Sequence, residues 1–102
     1  MLVKLGVDIS RLNREIRRTL DIVEAVFEEI GEEAVVSSTF EGNHSAGSLH
    51  YSNDAYDVKL PKKADRWKVF NSLREKIDKR FDLYYADGYP CFHIEYDPKK
   101  TI

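Results

Sequence analysis

Phe81-Asp82-Leu83-Tyr84-Tyr85-Ala86-Asp87-Gly88-Tyr89-Pro90-Cys91-Phe92-His93-Ile94-Glu95-Tyr96 is the stretch whose reading decides the fold. Two runs rich in aromatic and branched residues, Phe81 to Tyr85 and Cys91 to Tyr96, flank a short connection with Asp87-Gly88 as its turn signal. That pattern predicts two strands closed as a hairpin. Alternation along the second strand sends Phe92, Ile94 and Tyr96 one way and Cys91, His93 and Glu95 the other. The apolar set belongs against a layer of helices, which leaves His93 on the open face.

Upstream, Trp67, Phe70, Leu73 and Ile77 share one face of a helix predicted from Lys63 to Lys79. Before it, Ala55 to Leu60 alternates as a strand that Pro61 ends, and Ala34 to Ser38 reads as another short strand. The segment between them, Thr39 to Asp54, is rich in Gly, Ser, Asn and His, the composition of a surface loop that carries function. The first long element is a helix from Ser10 to Ile30. Leu12, Ile16, Leu20, Val23, Phe27 and Ile30 recur in it at steps of three and four, Ser10 caps its start, and Gly31 supplies a left-handed residue past its end. The order is helix, two strands, helix, two strands. It predicts an α+β fold: a small, mainly antiparallel sheet of about four strands, with two helices packed on one face. With no repeat, linker or low-complexity stretch, residues 1–102 read as a single domain.

Composition narrows the function classes. The chain has 102 residues, 42% hydrophobic and 33% charged, and a formal net charge of -2. A balance so near zero gives no general pull towards nucleic acid, so no nucleic-acid partner is expected. Arg11, Arg14, Arg17 and Arg18 are the densest cationic run, and they read as a solvated helix face paired with nearby acids. No apolar run is long enough for a transmembrane segment. Met1 to Asp8 lacks the apolar core of a signal peptide, so the chain is expected to be cytoplasmic as synthesised. The single cysteine, Cys91, forms no internal disulfide.

The residues that carry chemistry gather in two segments, 44–57 and 87–95. Strand alternation lets Asp57 share the open face with His93, and His50, at the end of the loop entering the Asp57 strand, can fold over the same spot. Two imidazoles and a carboxylate, with a fourth position left for water, make the arrangement of a catalytic zinc site. Imidazole ligands suit zinc, copper, iron or nickel and disfavour calcium.

Ser48-Leu49-His50-Tyr51-Ser52-Asn53-Asp54-Ala55-Tyr56-Asp57 resembles the Ser-x-His-x-x-Gly-x-Ala-x-Asp motif of D-alanyl-D-alanine carboxypeptidases. His44-Ser45-Ala46-Gly47-Ser48-Leu49-His50-Tyr51 is similar to the matching stretch of hedgehog signalling domains, and Cys91-Phe92-His93 stands for the His-x-His of a late strand. Both families belong with lysostaphin to one fold group of zinc metallopeptidases. The resemblance spans residues 34–97 and implies a hedgehog-like, D-Ala-D-Ala peptidase-like fold. It makes His50, Asp57 and His93 the Zn2+ ligands and Ser48 a hydrogen-bonding support for the loop. It gives the general base to Asp87, six residues before His93, with Glu95 as a supporting residue or the alternative base. Asn53 replaces the family's Gly. Cys91 replaces the first His of His-x-His and is either a neighbour of the site or a fourth ligand that closes it. His44 is the group left to steady the oxyanion. No Arg lies close upstream of His50 to grip a substrate carboxylate, which favours endopeptidase over carboxypeptidase specificity.

The implied function is a zinc-dependent hydrolase, a metallopeptidase that cleaves peptidoglycan peptides of the cell wall by metal-activated water. The alternative is a catalytically inactive zinc-binding or cell-wall-binding module of the same fold. Small members without a signal peptide are common in phages and prophages, whose machinery releases them to the wall.

Overall fold

The computed structural model describes residues 1–39 and 53–96. In chain order the elements are β1 (Leu2–Val3), α1 (Arg14–Arg17), α2 (Thr19–Glu29), β2 (Val35–Ser38), β3 (Ala55–Lys59), α3 (Arg66–Lys76), β4 (Phe81–Tyr84) and β5 (Cys91–Tyr96). The strands form one sheet in the order β1-β2-β3-β5-β4. Only the β1–β2 pair is parallel. The architecture is the expected α+β type, but the sheet has five strands rather than about four. The additional strand, β1, is two residues long and carries no hydrophobic period. It exists because the Leu2 and Lys4 amides donate to the Ala34 and Val36 carbonyls, at 2.8 and 2.9 Å. A pairing made by backbone groups alone leaves no mark in side-chain sequence.

The helix expected from Ser10 to Ile30 starts later and is broken. Ser10 does not cap it; its hydroxyl and amide both donate to Asp8 Oδ1 in a local turn. The Arg17 guanidinium holds the Ser10 and Leu12 carbonyls, at 2.6 and 2.9 Å, which keeps that segment out of helical geometry. At the break the Thr19 hydroxyl lies 2.7 Å from the Ile16 carbonyl and 2.6 Å from the Tyr56 hydroxyl. Burial pushes the Tyr56 phenol's pKa well above its ordinary value, so it stays protonated in this link between helix and sheet. Past α2, Gly31 takes the expected left-handed conformation, φ 73°.

One apolar cluster joins the helices to one face of the sheet. Ile16, Val23 and Phe27 from the first helical layer and Phe70 and Leu73 from α3 meet Val36, Tyr56, Val58, Phe92 and Ile94. Phe92 sits against Phe70 and Tyr85, with ring centroids 5.6 and 5.2 Å apart. Asp65 caps α3 by accepting from the Lys68 amide at 3.0 Å. Trp67, expected on the buried face of α3, is 42% exposed. It lies at the rim, its centroid 4.8 Å from that of Tyr85, because Val69 takes the inward position beside Phe70. No helix among the described residues is long and apolar enough to cross a membrane.

Candidate functional site

Phe92 and Ile94 are fully buried among the helices, so the pleat turns Cys91, His93 and Glu95 to the opposite face. In β3, buried Tyr56 and Val58 likewise turn Ala55, Asp57 and Lys59 to that face. The antiparallel register sets Asp57 opposite His93. On the other side of β5, Tyr84 stands opposite His93 and Asp82 opposite Glu95. A bulge in β2 between Val36 and Ser38 advances the chain so that Ser38, not Ser37, faces Asp57. Bulges of this kind re-aim side chains beside functional sites.

Both nitrogens of His93 face carboxylates. Nδ1 lies 2.8 Å from Asp57 Oδ1, and Nε2 lies 2.9 Å from Glu95 Oε1. All three side chains are largely screened from water, at 22% exposure for His93, 14% for Asp57 and 18% for Glu95. Burial pulls the imidazole pKa down, but hydrogen bonds and charge from Asp57 and Glu95 outweigh it, and the net shift is upward. The shift widens the pH range over which the ring is an imidazolium that donates to both carboxylates.

A pH dependence follows from that shift. Because the folded pKa is raised, the His93 contribution to stability is fully present below the unfolded value of about 6.5 and is lost as pH rises through the folded pKa. In chelator-treated protein, the urea midpoint is expected to fall between about pH 6 and pH 8 more in wild type than in Asp57→Asn. Equal falls would mean that the Asp57 contact does not carry the shift.

Cys91 is half-buried, and its thiol pKa is pushed up to about 11, by burial first and then by the charge and hydrogen bonding of Asp57. At pH 8 this leaves roughly 100-fold less thiolate than an ordinary cysteine has. Iodoacetamide is expected to alkylate Cys91 slowly in the folded protein and rapidly in urea, as read by intact mass. Fast labelling of the folded protein would contradict this burial.

Of the residues expected at the site, the fold brings together Asp57, His93, Glu95 and Cys91. It turns Asp87 elsewhere: Asp87 is exposed in the β4–β5 turn, where its carboxylate accepts from Trp67 Nε1 at 3.0 Å. That partner is not legible in the sequence, where the helical period puts Trp67 on the buried face. His44, Ser48 and His50 lie outside the described residues. The point where the chain re-enters the sheet is nonetheless fixed. The Asn13 amide donates to the Asn53 carbonyl at 3.0 Å, the Asn13 side chain donates to Asp54 Oδ1 at 2.8 Å, and the Tyr96 amide donates to the Asp54 carbonyl at 2.8 Å. Asn53 is left-handed, φ 63°, a conformation that favours Gly and that Asn tolerates.

Tyr84 is the neighbour that sequence reasoning missed. It is 54% exposed, and its ring centroid lies 6.0 Å from that of His93. Strand alternation alone leaves open which β4 residue faces His93; the register decides it.

Asp57 and His93 are of the chemistry that binds zinc. Tetrahedral zinc with ligands at about 2.0–2.2 Å would set two donor atoms roughly 3.4 Å apart. The present separation of 2.8 Å is that of a direct hydrogen bond, so the two side chains would have to part to hold an ion. Glu95 would then accept from Nε2–H and hold the tautomer that leaves Nδ1 bare. Among the described residues, no three His, Cys, Asp or Glu side chains are arranged to hold a metal, so such a centre needs a donor from outside them. No family model, curated protein or solved structure matches the chain.

Proposed function

We propose that this protein is a zinc-dependent peptidase acting on peptidoglycan peptides, an endopeptidase rather than a carboxypeptidase. The observation that carries the reading is the pairing of Asp57 Oδ1 with His93 Nδ1 across adjacent strands, with Glu95 on the far nitrogen. The left-handed Asn53, where the resembled motif has Gly, supports it. In this reading Asp57, His93 and His50 hold the metal, and Ser48 supports the loop that brings His50.

Zinc, when bound, supplies a water of pKa about 7 and polarises the scissile carbonyl. The protein does the rest. Glu95 fixes the ring orientation of His93. Asp57 would carry the negative charge of the ligand set, and because His93 must be neutral to serve as a ligand, the site's affinity for the ion would rise with pH. Asp87 accepts the proton of the attacking water, which requires its carboxylate to exchange Trp67 for the site. His44 steadies the oxyanion.

The test is release of new amino groups from purified sacculi by the zinc-loaded protein. Asp87→Asn is expected to lower the rate by about 10²–10⁴-fold while leaving bound zinc unchanged, as loss of a general base does. An Asp87→Asn protein as active as wild type would remove Asp87 from the mechanism. The second reading, an inactive zinc-binding or wall-binding module of the same fold, is favoured by the Asp87–Trp67 bond and by the protonated, Asp57-held Cys91. It predicts zinc uptake without amino-group release.

A further inference from the structure

We infer that the groove beside β4 is a subsite for an extended peptide, and that it reads a carboxylate on that peptide through Arg74 and Lys79. The inference rests on the peptidase reading for its choice of a peptide, and it assigns the part of the molecule that holds the chain away from the bond cut. The groove has a volume of about 510 Å³ and is lined by Phe81, Leu83 and Tyr84 of β4 and by Arg74 and Lys79. Three features point to this occupant.

β4 is the last strand of the sheet, and no strand lies outside it among the described residues. The outward backbone groups of such an edge accept an added strand, the commonest way a sheet binds an extended peptide.

Two of the three charged groups on the helix side of the groove, Arg74 and Lys79, are cationic and uncommitted to acids, and the third is Asp78. The Arg74 guanidinium lies over the Phe70 ring, 5.9 Å from its centroid. Arg74 and Lys79 form no ion pair with another described residue. The nearest acid on that side, Asp78, has its oxygens held by Arg80 Nε and an Arg80 terminal nitrogen, at 3.1 and 2.9 Å. Asp82 borders the groove from the other side, on the face shared with Glu95. Successive side chains of an added strand alternate between those two sides, so a carboxylate residue has one preferred direction, towards α3.

The groove also borders the site. Tyr84 lines it and packs at a tilt beside His93, with ring centroids 6.0 Å apart. A strand lying along the four residues of β4 covers about 10–13 Å. The recognised carboxylate therefore belongs a few residues from the scissile bond.

Two probes test this: a fluorescein-labelled extended pentapeptide with two carboxylate side chains, and its twin with both as carboxamides. Binding to the full chain is read by anisotropy in chelator at low salt. The carboxylate peptide is expected to bind at least about 10-fold tighter than the carboxamide, and Arg74→Gln/Lys79→Gln is expected to erase the difference. Both substituted residues are exposed, and circular dichroism of the double variant checks its fold. Alternate N-methylation of the peptide is expected to weaken binding to a similar degree, because it blocks strand addition. Equal binding of the two peptides, unchanged discrimination by the double variant, or no binding of either peptide overturns the subsite. Binding with discrimination but no hydrolysis by zinc-loaded protein keeps the subsite and sinks the peptidase reading. Hydrolysis without discrimination does the reverse.

Discussion

A His93→Ala protein is expected to keep its fold and, if the proposed zinc peptidase reading holds, to lose the zinc that wild type takes up and to release amino groups from sacculi only at the background rate. His93 sits between two carboxylates, 2.8 Å from Asp57 and 2.9 Å from Glu95, and no other described side chain holds both. Its removal takes away the ring that stands between two acids and, in the proposed reading, a metal donor. The site is partly open to water, with 22% of the His93 side chain exposed, so the orphaned carboxylates are hydrated rather than stranded. The fold therefore survives what the chemistry does not. Elemental mass spectrometry on wild type and variant side by side reads the first effect, about one zinc per chain against none. A variant that keeps its zinc would sink the ligand assignment. A wild type that takes up no zinc would sink the metal centre itself.

Phe92→Ala acts on the adjacent residue through different physics. The Phe92 ring is fully buried against Phe70 and Tyr85, in the layer that ties α3 to the sheet. Truncating a buried Phe to Ala costs about 3–5 kcal/mol, from lost transfer energy and the cavity left behind. A domain of this size has about 5–15 kcal/mol in total. The melting temperature is expected to fall by roughly 12–40 °C, at about 4–8 °C per kcal/mol for small domains. Urea unfolding of the two proteins at one pH measures the difference. A loss below about 1 kcal/mol would mean that β5 does not present this face to the helices. The pairing with His93→Ala is informative because the two residues are neighbours on opposite faces: one change is expected to act on the proposed site and spare the fold, and the other to lower the stability of the fold itself.

The decisive patterns in the sequence were the short-range ones. Alternation in Cys91–Tyr96 and Ala55–Lys59 placed His93 and Asp57 on one face, because a strand's side-chain period is fixed by its backbone. The period of three and four found the core of the first helix, and the Asp87-Gly88 turn found the hairpin. The same local rules fail wherever a distant partner competes. Ser10 has the chemistry of a helix cap, yet Asp8 takes its hydroxyl and Arg17 its carbonyl. Trp67 has the period of a core residue, yet the volume beneath α3 is filled by Val69 and Phe70, so its ring stays at the rim and donates to Asp87.

What the sequence determined by itself is therefore four of the five strands, the approximate places of the helices, and the placing of Asp57, His93 and Glu95 on one side of the sheet. Tertiary structure alone decided which of those side chains touch. The Asp57–His93 contact depends on the β3–β5 register, a one-residue slip of which would send one partner into the core. The same long-range pairing added β1 through backbone hydrogen bonds, brought Tyr84 beside His93 and turned Asp87 to Trp67. Register and edge pairing are set by free energy summed over the whole sheet, which no short window of residues contains.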